Sequence, residues 1–483
     1  MPQYSHFAQE TPRHDLSWTL NIPSIEYLGS ATSHFQAEPL QYDKMGQPCL
    51  ASDWEFEVIR KLRGEPSGIP KADVRALPRF LPLRTRYIDR SVEVSENMFR
   101  FSLEFPRLCP REGEFNSDLM REYAKTIIMI RLRGQEPLLT LEHFTMPQDL
   151  TRIDRNGNIS GGAWEHPDIA KRFRFYVESV VRFLSDEGEV KNILKELDIA
   201  LEQQSKILSE GLARYFLTIN EPAGALYNGY LSGIFPPFKR FRLLSVLPVL
   251  NKMVEVHDIA TAVLKEGLRR QKYQPQVGVA YNWQCHEGLV GKIAQEIHEY
   301  CTHRFEREGD HSDFLGLDYY FRYKFLTNRA KREYGTQPSF GDIHPEGIFQ
   351  VIKALHLCYP KKSIFVAEFG FADMNDLRRP YWILETVRCI LEAKKSGIPV
   401  KGVLMWTLVN NFEWELGMSQ KFGLFDEAEL GKPLRNSEKG IRSWEAWRSA
   451  IEAIRSSNQE NLNRLQKCYE SAKQQYKEAG GKL

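Results

Sequence analysis

No stretch of this chain approaches the roughly 18 consecutive apolar residues that cross a bilayer, and its first residues, MPQYSHFAQETPRHDLSW, contain no apolar run. Neither a membrane segment nor a secretory signal peptide is expected. Cysteine is scarce and unpatterned. The seven, at 49, 109, 285, 301, 358, 389 and 468, are odd in number, scattered and without a CxxC pair. That excludes a disulfide scaffold and reads as reduced thiols of a cytosolic protein, mostly filling the core. An excess of one charge is missing too, since 65 basic against 63 acidic residues leave a formal +2. Nothing calls for a nucleic-acid or membrane partner. The twelve histidines show no HExxH or similar spacing, and no Gly-rich loop follows the first strand, so neither a metal nor a nucleotide cofactor is expected.

What is present in quantity is apolar matter, 42% hydrophobic and 12% aromatic over 483 residues, enough for a large core. Short apolar runs recur. The first, from Glu26, loosens through Gly29 and leaves Gln36 just past its end. Seven more follow at Phe99–Phe105, Pro137–Phe144, Tyr215–Asn220, Val277–Asn282, Phe314–Tyr320, Ile364–Glu368 and Gly402–Leu408. Helical patterns lie between them, at Leu119–Arg133, Asp168–Ser185, Val246–Leu268, Leu289–Phe305, Pro345–His356 and Pro380–Lys395. Alternating β and α implies a parallel sheet, and eight units imply an α/β fold closed as a (β/α)8 TIM barrel. The expected single domain spans 1–455, with a polar arm over 1–24 and a long Arg- and Pro-rich loop from Asp53 to Asp89 after the first strand. A helical insertion at 185–213 precedes strand four, the chain is helical after Glu438, and a tail occupies 456–483. Insertion and tail read as helices on the outside of the barrel, or as contacts in a homo-oligomer.

Two of the runs share one design. Phe216-Leu-Thr-Ile-Asn220-Glu221-Pro222 and Ile364-Phe-Val-Ala-Glu368-Phe-Gly370 each end an apolar strand in a glutamate. Pro222 cannot donate to a ladder and stops the first strand. A carboxyl group delivered at the end of a core strand loses water and its pKa rises, as a general acid requires. Two such glutamates suggest the carboxylate pair of a glycosidase. Gln36, His143, Asn220, Glu221, Asn282, Tyr320, Glu368 and Trp406 all lie at or just past the C-terminal ends of strands, the face where barrels of this class build their active sites. Arg100 lies within its strand and is expected to point inward.

Taken together, GSATSHFQAE, FRFSLEFPRLCP, LLTLEHFTMPQDL, FLTINEP, DFLGLDYY, FVAEFG and MWTLVNNFEWELG, running on to QKFGLF, resemble glycoside hydrolase family 1, the retaining β-glucosidases and β-galactosidases. The matches run in the family's order across nearly the whole barrel. Ser52-Asp53-Trp54 and the long loop after it resemble the archaeal-type branch. The resemblance implies Glu221 as acid/base and Glu368 as nucleophile, with Asn220 on the sugar's 2-hydroxyl and Gln36, His143 and Glu413 on its other hydroxyls. It makes Trp406 and Trp414 the floor and wall of the sugar site, and Arg100 and Tyr320 the groups that hydrogen-bond the nucleophile. Asn282 and Phe422 are further candidates at the site. A cytoplasmic enzyme acting on a β-glycoside without cofactor is what this implies.

Four positions depart from the family pattern. Phe144 replaces a Trp, Asp318 an Asn before Tyr319-Tyr320, Phe369 an Asn after the nucleophile, and Asn410 an Asp. They bear on substrate choice and pH optimum rather than on reaction type. Asp318 is expected to face strands four and seven, either ionised or as a neutral proton holder. Two other functions compete: a 6-phospho-β-glycosidase, which the retained Glu413 disfavours because its carboxylate repels phosphate, and a catalytically idle sugar-binding barrel.

Overall fold

Eight parallel strands pair edge to edge and close: β1 (Tyr27–Ala31), β2 (Met98–Ser102), β3 (Glu136–Glu142), β4 (Tyr215–Asn220), β5 (Gln276–Asn282), β6 (Phe314–Tyr319), β7 (Ser363–Phe369) and β8 (Val400–Trp406). Their order around the barrel is β1-β8-β7-β6-β5-β4-β3-β2. This is a computed structural model, and it describes residues 22–269, 271–306, 312–324, 343–435 and 440–481. Residues 1–21 of the expected arm lie outside the described residues. β2, β4 and β6 are buried at every position, because helices cover one face and the barrel interior the other. The covering helices are Phe80–Glu93, Ser117–Leu132, Ile169–Ser185, Leu243–Gly267, Gly288–Phe305, Gly347–Cys358, Arg379–Lys395 and Ser443–Arg455. The (β/α)8 expectation holds.

The apolar side chains sort into three layers. Ala31, Met98, Leu138, Tyr215, Leu217, Phe314, Phe365 and Leu404 fill the barrel. A much larger set packs strands against helices. A third cluster, with Phe35, Trp54, Phe235, Phe412 and Trp414, caps the end from which β1, β4 and β8 emerge. Strict alternation breaks on two strands. Against β5, the register of β4 shifts between Leu217 and Asn220, and Leu217 faces the barrel while Ile219 faces the helices. On β7 the register shifts between Val366 and Glu368 against β6, and Ala367 faces in while Phe369 faces out. Each break falls just before a glutamate, and irregularities of this kind re-aim a side chain.

Several boundaries differ from the sequence reading. The long loop of 53–89 holds two helices, Asp53–Leu62 and Phe80–Glu93. Ser52 and Glu55 start the first with a capping box, a local signal that outweighs the prolines nearby. Pro66, Pro70 and Pro78 lie in the linker between them, and Pro82 sits in the first turn of the second, where its missing N–H costs nothing. The 185–213 insertion is two helices, Glu187–Glu196 and Leu201–Glu210, parted where Asp198 takes a φ of 53°. The C-terminal helix is likewise interrupted at the extended Ser456, and resumes as Gln459–Glu478. Its Leu462, Leu465, Ala472 and Tyr476 join the outer core cluster. β2 stops at Ser102, and Phe105–Leu108 turns helical. A small antiparallel pair, Arg152–Ile153 with Ile159–Gly161, has no counterpart in the sequence reading. All seven cysteines are free, four of them buried. No helix among the described residues is long and apolar enough to cross a membrane.

Candidate active site

Glu221 follows the last residue of β4 in the left-handed region, φ 43°. Its N–H donates to the Ala280 carbonyl at 2.8 Å, and Pro222 opens the short helix Pro222–Leu226 directly after it. This conformation is uncommon for non-glycine residues and carries a local backbone cost. Gly224 makes room for it, because a Cβ there would meet Glu221 Oε2 at 2.8 Å. Asn282 Nδ2 at the end of β5 donates to the same oxygen at 2.8 Å. Burial, then the nearby charge of Glu368, pushes the Glu221 pKa up to about 8.

Glu368 meets a different environment. Arg100 Nη1 donates to its Oε1 at 2.8 Å, and the Tyr320 hydroxyl donates to its Oε2. Arg100 is wholly buried, also donating to Thr140 Oγ1 at 3.0 Å, Asn220 Oδ1 at 2.6 Å and the Ala367 carbonyl at 3.1 Å. One guanidinium thereby ties β2 to β3, β4 and β7. Burial raises the Glu368 pKa, while Arg100 and the two hydrogen bonds pull against it. A carboxylate oxygen of Glu221, one of Glu368 and one of Asp318 all lie within 4.8 Å of one another. Oxygens this close are compatible with the short carboxyl separation of retaining glycosidases, about 5–5.5 Å. This trio is the acidic grouping most able to hold a metal among the described residues, but Arg100 already supplies a cation at 2.8 Å from Glu368 and 3.7 Å from Asp318.

Around this pair stand groups suited to a sugar. Gln36, on the helical turn His34–Ala37 after β1, donates to Glu413 Oε2 at 3.2 Å, and its Oε1 meets no partner among the described residues. Burial and the carboxylates of Glu415, Glu368 and Glu221 hold Glu413 well above its usual pKa. Burial keeps His143 neutral, with Nε2 3.4 Å from the Asn220 amide. Its ring lies nearly parallel to Trp406 and Trp414, centroids 5.8 and 6.0 Å away. Phe144 and Trp414 both take positive φ, 66° and 45°, and meet edge-on at 5.2 Å. Phe422 packs edge-on against Tyr320 at 5.9 Å. Apart from Arg100, which lies in the middle of β2, the candidate site residues lie at or past the C-terminal ends of the strands.

Two groups escaped the sequence reading. Gln284, just past β5, accepts from the N–H groups of Tyr320 and Phe321 at 2.9 and 3.0 Å and donates to Asn282 Oδ1 and to the Asp318 carbonyl. It pins β5 to β6 and aims Asn282 at Glu221. Its place two residues beyond a strand end was the available signal. Trp54 packs 4.9 Å from Trp414 and 5.1 Å from Phe235. It was hidden because its helix was read as loop.

The sequence pattern of Glycosyl hydrolase family 1 matches residues 86–206 and 310–439, over half of the chain. The chain belongs to glycosyl hydrolase family 1. Similar curated proteins include a β-galactosidase of Sulfolobus acidocaldarius, 23% identical over 406 residues, covering 74% of this chain and 75% of that one. Another is β-glucosidase A of Thermotoga maritima, 23% identical over 390 residues, covering 69% and 79%. Among solved structures, the β-glycosidase of Thermosphaera aggregans superimposes with a TM-score of 0.69 at 20% identity, over 92% of this chain and 99% of that one.

Within the family frame, the four departures separate. Phe369 points away from the site, stacked on Trp382 at 5.7 Å and against Trp447 at 5.5 Å. Asn410 accepts from the Gly423 N–H at 2.8 Å and donates to Asp426, so it fastens the loop behind Trp414. Neither reaches the carboxylates. Phe144 and Asp318 do line the site.

Proposed function

We propose that this family member is a retaining β-glycosidase acting on β-linked glucosides, galactosides or related glycosides by double displacement. The observation that carries the reading is the pair of glutamates with unlike surroundings, close enough for one to attack and the other to protonate. Glu368, held by Arg100 and Tyr320, attacks the anomeric carbon. Glu221 gives its proton to the leaving oxygen, then removes one from the water that frees the sugar. Asn220, its amide oxygen fixed by Arg100, is left to bind the 2-hydroxyl through its remaining atoms. Gln36, His143 and Glu413 take the other hydroxyls, and Trp406 and Trp414 face the apolar side of the pyranose. The buried carboxyl group of Glu413 beside Gln36 speaks against a 6-phosphorylated sugar.

The test is a panel of nitrophenyl glycosides with the anomer of the first product read by NMR. A β product from a β substrate is expected, and an α product would remove the double displacement. The free cysteines support a reducing, intracellular compartment. We further take residues 22–481 as one unit, because the tail shares the barrel's outer core. Any oligomer would form through the 185–213 insertion or the tail, and light scattering decides whether one exists.

A further inference from the structure

Asp318 has no role in the mechanism above, yet it sits in the middle of the site. In register it lies opposite Asn282 on β5 and Glu368 on β7. Its side chain is fully buried, and one of its oxygens is within 4.8 Å of oxygens of both Glu221 and Glu368. Neither carboxylate oxygen has a hydrogen-bond partner among the described residues. The cation it faces is Arg100, 3.7 Å away. That distance is too long for a hydrogen bond. Moreover, four of the five N–H groups of a guanidinium are accounted for by Thr140, Asn220, Glu368 and the Ala367 carbonyl.

Apart from Arg100 on β2, the neighbours among the described residues are carboxyl groups or uncharged. β4 brings Glu221 and β7 brings Glu368, both carboxyl groups. β6 itself brings Tyr320, whose proton already goes to Glu368. β5 brings the uncharged Asn282 and Gln284, β3 the neutral His143, and the loop after β8 brings Glu413, whose pKa burial and the same pair raise. One guanidinium balances one carboxylate in a water-poor core, and Glu368 holds the better geometry. A second ionised carboxylate beside it would be buried without a donor.

We propose, on the retaining-glycosidase reading above, that Asp318 is a positioning residue which holds a proton of its own and stays uncharged through both half-reactions. The count of charge supports this. In the resting site, Glu368 is ionised and Glu221 and Asp318 are protonated, one negative charge against Arg100. In the glycosyl-enzyme, Glu368 is an ester, Glu221 is ionised and Asp318 is still protonated, again one against one. An ionised Asp318 would leave an unbalanced charge in both states and repel the nucleophile's own. Burial and the charges of Glu368 and Glu221 raise its pKa, in agreement.

The test compares the wild type with Asp318→Asn in two ways. First, kcat/KM is measured against pH with an aryl β-glycoside. Removing a neutral group leaves the acid limb where it is and leaves the alkaline limb in place or higher, because one fewer proton can be lost from the coupled set. Removing a charged one drops the acid limb by roughly a pH unit, since Glu368 loses a repelling neighbour, and that result overturns the proposal. Second, infrared difference spectra in a Glu221→Gln background report protonated carboxyl groups directly. A carboxylic C=O band that disappears on adding Asp318→Asn is expected, and a spectrum without that band overturns the proposal regardless of activity. Should Asp318→Asn fail to fold, Asp318→Ser serves for both measurements. A wild type inert toward every aryl β-glycoside would sink the glycosidase reading while the infrared arm still decides Asp318.

Discussion

The ends of β4 and β7 are the two parts of this molecule most alike in sequence and most unlike in surroundings. Both are apolar runs closed by a glutamate, and both carry a register shift just before it. At β7 the glutamate meets a guanidinium and a phenol. At β4, among the described residues, it meets the Asn282 amide and no cation within ion-pair distance. Charged and hydrogen-bonding partners favour the ionised form, and burial without them favours the neutral one. On the proposed mechanism, the same residue type on the same local design serves as nucleophile at one end and as acid at the other. Partners brought from β2, β5 and β6 assign the roles, not the strands that carry the glutamates.

The largest effect expected from breaking this comparison is at Glu368. Glu368→Gly should lower kcat on the order of 10⁵-fold or more, and azide or formate should restore turnover with an α-configured product. A residual rate near wild type would mean the attacking group lies elsewhere. Next comes Glu221→Ala, which should cost about 10²–10⁴-fold on substrates with poor leaving groups and far less in the first step on those with good ones. Equal losses on both would show that Glu221 is not the acid. Smaller again is Glu413→Ala, which removes a buried carboxyl group proposed to bind the sugar's hydroxyls. A loss of roughly ten- to a hundredfold in kcat/KM is expected, and no loss would separate Glu413 from the site.

What could be read in the sequence follows from the same physics. A parallel strand buried on both faces is apolar over most of its length, so the eight strands and their order stand out as runs. Strand-end polarity marked Gln36, His143, Asn220, Glu221, Tyr320 and Trp406, because a buried polar group placed there has few structural uses. The register shifts on β4 and β7 were invisible, since they depend on the neighbouring strand and not on the residues themselves. For that reason the outward turn of Phe369 could not be foreseen from its place beside Glu368. The helix of Trp54 is marked in the sequence by Ser52 and Glu55, a signal masked by the prolines that follow it. Gln284 acts through main-chain N–H groups brought close only by the closed barrel, and spacing along the chain says nothing of those.

The smallest expected effect tests the β4 side of the comparison most directly. Asn282 Nδ2 donates to Glu221 Oε2 at 2.8 Å. A donor stabilises the carboxylate more than the carboxylic acid, so this bond holds the Glu221 pKa down against the burial that pushes it up to about 8. Asn282→Ala removes the donor and adds no charge. The acid form of Glu221 should then persist to higher pH, and the alkaline limb of kcat/KM should rise by roughly half a unit to one unit. The acid limb belongs to Glu368, whose side-chain donors are Arg100 and Tyr320, and should stay in place. Gln284 keeps its hold on the Tyr320 and Phe321 N–H groups in the variant, so β5 and β6 remain joined. An alkaline limb that falls or does not move would mean that Asn282 does not set the acid. Movement of both limbs would mean that the two strand ends are not electrically separate, and the contrast between them would have to be abandoned.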